Sequence, residues 1–219
     1  MIFFSIIVIL SFLCWVSSLF FLTKRNGGYL RHMIWFLALT LVTEFAGYLV
    51  YFQFRQPNNY WVFNLFMGVE LLFLSWLMHQ ISAPYYNSKP WIVAGLTLLL
   101  LTYFYESSQS GFLELSMKTK NMFAVYMILL ALSYYYFLLK SETYFQLKDH
   151  PPFWIVTGVF FFYFGSVMAD LFFDYLLSIN KVAIRPVRFS IFIVLNLILY
   201  GSWSYSFLCK YRQTTSSSW

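Results

Sequence analysis

Charge is scarce in this sequence: only 10% of its 219 residues are Asp, Glu, Lys or Arg. A soluble domain carries about a quarter charged residues and needs them to cover its surface. With 61% hydrophobic and 24% aromatic residues, this chain cannot clothe a water-facing surface. Cysteine is nearly missing too. Cys14 and Cys209 lie in or at the edge of apolar segments, which supports neither a disulfide framework nor a metal knuckle. The three histidines, His32, His79 and His150, sit near the ends of apolar segments and leave none inside for a zinc-type intramembrane hydrolase. No phosphate-cradling glycine loop and no Ser/His/Asp or Cys/His set is present, so the sequence points to no catalytic residue, cofactor or metal. The net charge of +6 is scattered through short connections. Nucleic-acid binding needs a concentrated basic face, and none is visible.

What is abundant is apolar sequence of membrane-spanning length. Seven runs stand out, at 2–22, 33–54, 61–81, 90–105, 120–140, 153–177 and 188–209, separated by charged or Pro/Asn-bearing breaks. The run after the first methionine lacks a basic n-region and ends in Lys24 and Arg25, which reads as a retained first helix, not a cleaved signal. The expectation is an all-α membrane protein, a single seven-transmembrane-helix bundle over 1–212 with a disordered polar tail at 213–219. Its partner is the lipid bilayer, here a cell (inner) membrane.

Lysine and arginine set the orientation. Lys24, Arg25, Arg31, Lys89, Lys140, Lys148, Lys210 and Arg212 fall on one side, against Arg55, Lys118, Lys120, Lys181, Arg185 and Arg188 on the other. The bias puts the N-terminus outside and the C-terminus inside. Weak internal echoes, "SSLFFLTK" with "SYYYFLLK" and "VELLFLSW" with "LNLILYGSW", allow a three-plus-one-plus-three repeat as one reading.

Depth follows from the rise of a helix, about 1.5 Å per residue across about 30 Å of hydrocarbon. Glu44 comes out roughly 16 Å from the inner edge and Glu70 roughly 14 Å from the outer edge, a shared level near the midplane. Asn196 lies roughly 12 Å from the outer edge. Asn64 and Asp170 share a shallower outer level, and Asp174 reaches the outer interface. The inner half holds mainly hydroxyls, which can bond back to their own backbone. Polarity is therefore lopsided toward the outside.

An ionisable group at the bilayer centre costs a few kcal/mol even on lenient scales, so it is normally buried in the bundle and partnered. Stripes at helical spacing support this: Thr40, Glu44 and Tyr48; Tyr163, Ser166, Asp170 and Asp174; Asn196, Tyr200 and Ser204. Beside the second runs a small-residue face, Gly158, Phe162, Gly165 and Ala169, suited to close helix contact. Two readings stand side by side. In the bland one, Glu44 and Glu70 are protonated carboxyls bonded to neighbours, Asn64 and Asn196 are interhelical glue, and Asp170 and Asp174 pair with Arg185 or Arg188 where the sixth span meets water. In the functional one, Glu44, Glu70, Asn64, Asn196, Asp170, Tyr48 and Tyr200 line a ligand or ion site opening outward. Asp170, Asp174, Arg185 and Arg188 then form its rim or gate.

Seven spans with an outer N-terminus invite comparison with rhodopsins and G-protein-coupled receptors. No lysine lies between Phe189 and Cys209 to carry retinal, and "NLILY" at 196–200 lacks the proline of the receptor motif. The segments "NLFMGVE" (64–70), "FWIVTGVFFFYFG" (153–165) and "NLILY" are similar to small uncharacterised seven-helix proteins of Bacteroidota-type bacteria. That resemblance implies a sensory or accessory role. The functional expectation is a receptor-like or signalling accessory module that binds a small polar or cationic ligand in an outward-facing cavity built from spans two, three, six and seven. With no soluble output domain, it requires a membrane or cytoplasmic signalling partner or self-association. The alternatives are a proton- or cation-coupled small-solute transporter and a structural subunit of a larger membrane complex.

Overall fold

In hydrocarbon every backbone amide must find its partner within the chain, so long apolar runs become helices. The computed structural model describes residues 2–22, 28–52, 59–110, 114, 116–141, 146–179 and 184–216. Among these residues seven α-helices form: α1 (Ile2–Leu22), α2 (His32–Phe52), α3 (Tyr60–Ser82), α4 (Lys89–Ser110), α5 (Met117–Lys140), α6 (Pro151–Ile179) and α7 (Ile184–Ser216). The last six are long and apolar enough to cross a membrane, and α1 adds a shorter apolar stretch over Ile6–Leu22. The protein is an integral membrane helical bundle.

Helix ends follow local chemistry. Pro151 and Pro152 open α6, where proline's missing N–H costs nothing and its fixed φ suits the first turn. The N-cap of α5, Ser116, makes no side-chain cap bond. Glu106, near the end of α4, does the capping instead. Its carboxylate accepts from the backbone N–H of Lys118 (3.1 Å) and Thr119 (3.0 Å) and from the Thr119 hydroxyl (2.8 Å). Orphan donors and the positive helix end both favour an anion there. With this use for its acid, α4 runs to Ser110, past the 90–105 expected from hydropathy. Likewise α7 continues through Ser216, beyond Cys209 and into the stretch expected as a polar tail. Gln213 donates to the Asp149 carbonyl at 2.7 Å and fastens that last turn to the short 3₁₀ turn Leu147–Asp149 before α6.

The helices close into a ring in the order α1, α2, α3, α5, α6, α7 and back to α1, while α4 leans on α3 and α5 from outside. Only 17% of α4's apolar span is buried within the bundle, against at least 39% for the other five long helices. The tightest seam is α6 against α7, where glycines let the backbones approach. A Cβ on Gly158 would stand 3.2 Å from the Leu199 carbonyl oxygen, and one on Gly165 would strike the Leu195 side chain. At Gly95 a Cβ would overlap the Tyr126 ring, so α4 meets α5 by the same device. The core is aromatic and aliphatic: Phe36 stacks on Phe73 at 4.3 Å, over fully buried Leu71, Leu77, Met127 and Phe207. Outward faces carry exposed apolar side chains such as Phe20, Trp35, Leu101 and Leu139, as a lipid-facing surface requires.

Candidate functional site

Inside the ring, toward the end of the bundle where α1 begins, lies a cavity of about 410 Å³. Every ring helix contributes to its wall, with α4 left out. From α2 come Phe36, Thr40 and Glu44, and from α3 Phe63, Phe66, Met67 and Glu70. From α7 come Phe192, Asn196, Leu199, Tyr200 and Trp203. The helix α6 adds Phe162, Tyr163 and Ser166, α5 adds Lys120, Asn121, Phe123 and Ala124, and α1 adds Ile7. The cavity thus draws on α5 and α1 as well as the four spans expected to build it.

Two carboxyls reach a chamber whose walls are largely aromatic. Glu70 is only partly covered because it faces the cavity, and its Oε1 accepts a 2.8 Å hydrogen bond from the buried phenol of Tyr163. Glu44 is half-buried and lines the same cavity from the neighbouring helix α2. Tyr200 and Asn196 are buried on α7 and line the same cavity, and the Asn196 amide donates back to the Phe192 carbonyl at 2.8 Å. Thr40 also bonds its own helix, at the Phe36 carbonyl, 2.9 Å away.

Nearer the end of the bundle, Asp170 ties three helices together. Its Oδ2 accepts from Lys120 Nζ of α5 at 3.0 Å, and its Oδ1 accepts from Arg188 Nη2 of α7 at 2.7 Å. The carboxylate is 9% exposed, whereas Lys120 and Arg188 keep about a third of their surface open (33% and 32%). Both cations also sit near the Phe192 ring, Lys120 at 5.4 Å and Arg188 at 5.7 Å. Lys120 belongs to this cluster and to the cavity wall at once.

The residues singled out from the sequence divide accordingly. Glu44, Glu70, Asn196 and Tyr200 meet on one cavity, and Asp170 stands at its end through Lys120. Asn64 is elsewhere. Its Nδ2 donates to the Glu114 carbonyl at 2.7 Å, its Oδ1 accepts from Ser116 N–H at 3.3 Å, and its own carbonyl accepts from the Tyr103 phenol at 3.0 Å. It pins the α4–α5 connection. Tyr48 is 37% exposed and does not line the chamber. The side chains of Asp174 and Arg185 lie outside the described residues. In the sequence Lys120 stands out only as an orientation charge. Its position one turn into α5, level with Asp170 near the end of α6, is the signal that would have found it.

At the opposite end, Tyr29, Gln80, Tyr85, Lys140, Ser141 and His150 border a wider recess of about 830 Å³. There the Tyr85 phenol and His150 Nε2 are 3.0 Å apart, and burial pushes the His150 pKa down and that of Tyr85 up. Between recess and chamber lies a filled layer in which Leu74, Met78, Met127, Ala131, Val156 and Val159 are all buried. Among the described residues no group of three or more His, Cys, Asp or Glu is placed to hold a metal ion.

No family model, curated protein or solved structure matches this chain. The site must therefore be read from its own chemistry.

Proposed function

We propose that the protein is a receptor-like or signalling accessory membrane module that binds a small cationic ligand in the aromatic chamber. The observation that carries this reading is the convergence of Glu44 and Glu70 on one cavity walled by Phe36, Phe63, Phe66, Phe123, Phe162 and Phe192. Carboxyls supply the counter-charge for an ammonium, and aromatic faces attract cations through their quadrupole, about 2 kcal/mol or more where water is excluded. The ligand enters from the end marked by Lys120 and Asp170, which the lysine and arginine bias assigns to the outside. The filled layer below the chamber favours binding without passage, because alternating access needs a wettable path on both sides. Signal output then falls to a partner or a second copy, in a bacterial inner membrane.

The test is ligand-dependent thermal stabilisation of the purified protein in nanodiscs, using a panel of alkylamines and quaternary ammonium ions. Stabilisation that disappears in Glu70→Gln, with no uptake of the same ion into proteoliposomes, is the expected result. Uptake that disappears in Glu70→Gln would overturn the receptor reading in favour of a transporter.

A further inference from the structure

The chamber is charged with both signs, at two levels. Its inner level holds Glu70, bonded to Tyr163, and Glu44 on the neighbouring helix α2. Its outer level holds Lys120, which lines the same cavity while bonded to Asp170. Resting on the cation-binding reading above, we propose that the ligand is a compact zwitterion. Its ammonium end sits at Glu70 and Glu44, and its anionic end, a carboxylate or a phosphate, sits at Lys120.

Three observations support this. First, Lys120 can change partner without stranding a buried acid, because Asp170 holds Arg188 through its other oxygen at 2.7 Å. A lone buried carboxylate would be expensive, and a paired one is not. Lysine's flexible stem and three rotatable donors suit such an exchange better than a planar guanidinium would. Second, a plain cation at Glu70 would sit below Lys120 and feel its repulsion, whereas an attached anion turns that repulsion into attraction. Third, the spacing selects a short molecule. Tyr163 and Asp170 are seven residues apart on α6, roughly 10 Å along its axis. Each charge-assisted hydrogen bond takes up roughly 3 Å of that. About 4 Å remains between the ligand's own charged groups. Aminopropanoate, aminobutanoate and 2-aminoethyl phosphate have that reach, with a methylene linker for the aromatic walls. The last is also the headgroup of phosphatidylethanolamine, so solute and lipid share this chemistry.

The experiment uses the full chain in nanodiscs of phosphatidylglycerol alone and of phosphatidylethanolamine. Thermal stabilisation is measured with 3-aminopropanoate, 4-aminobutanoate and 2-aminoethyl phosphate, each beside the matching alkylamine. In phosphatidylglycerol discs the best zwitterion should bind about tenfold more tightly than its amine. Lys120→Met should erase that ratio from both sides, weakening the zwitterion and tightening the amine as the repulsion is lifted, and Lys120→Arg should keep the preference if Lys120→Met fails to fold. Stabilisation in phosphatidylethanolamine discs without added solute, lost in Lys120→Met, would support the zwitterion with a lipid as its source. If every amine binds as well as its zwitterion and the headgroup has no effect, the inference is overturned while the cation site stands. If neither amines nor zwitterions bind in either disc, the cation reading falls and this inference with it.

Discussion

The phenol of Tyr163 donates to Glu70 across the chamber at 2.8 Å and joins α6 to α3, two helices that are not neighbours in the ring. Removing the donor in Tyr163→Phe should lower stability by about 1 kcal/mol, since interhelical hydrogen bonds in membranes average about 0.6 kcal/mol and reach about 1.7. Glu70→Gln keeps an acceptor for the phenol and should cost less. Reversible unfolding in mixed micelles measures both. If Glu70→Gln proves the more damaging, the carboxylate has a structural role beyond this bond.

Asp170→Asn removes the negative partner that Lys120 and Arg188 share. Exposed pairs are worth at most about 1 kcal/mol and fully buried ones about 3 to 5 when broken. With both cations about one-third open, the expected loss is about 1 to 2 kcal/mol, read by the same unfolding assay. A loss no larger than that of a surface charge elsewhere would show that the cluster does not fasten α5, α6 and α7.

Glu106→Ala strips the start of α5 of its acceptor. Loss of a helix cap costs about 0.5 to 2 kcal/mol, and the upper half of that range is expected because three donors lose their partner. Hydrogen exchange should show faster opening confined to the first turn of α5. Uniform exchange across the bundle would contradict the local role.

Asn64→Leu tests whether this buried amide is glue or ligand contact. It should destabilise the α4–α5 connection, leaving the Glu114 carbonyl and Ser116 N–H without their partner, and should leave amine binding intact. Binding lost in a folded Asn64→Leu protein would return Asn64 to the site.

His150 makes stability depend on pH. Its folded pKa lies below the ordinary value of 6.5, through burial beside Tyr85. The unfolded chain therefore binds the proton more readily, and stability rises with pH through that window. The contribution of neutral His150 is fully present above about pH 6.5 and declines as pH falls through it toward the lower folded value. His150→Gln should flatten that slope in a series of unfolding measurements from pH 5 to 8. A slope unchanged in the variant would assign it to other groups.

The helices are legible in the sequence because the bilayer imposes their length, and counting residues from each span's end puts Glu44 and Glu70 at one level. Counting also placed Asn64 beside Asp170 in depth, yet depth says nothing of azimuth, and Asn64 turns to the α4–α5 connection instead. Lys120 lies at a span's end, where a cation reads as water-facing, yet its long stem lets it turn inward to Asp170. The outlying position of α4 left no trace in the sequence, because lipid tails and packed side chains ask for the same apolar residues. Its exposure separates it from the ring only once the helices are assembled.

That outlying helix has a mechanical consequence. It touches no part of the chamber, yet it is bolted to α5 twice, by the Gly95–Tyr126 contact and by the clasp of Glu106 on the opening turn of α5. Lys120 stands on that same opening turn. A ligand that drew Lys120 from Asp170, as proposed above, would load α5, and α4, held to it at both points, would be pulled along like an outrigger. Its broad greasy flank would then carry the state of a chamber it never meets.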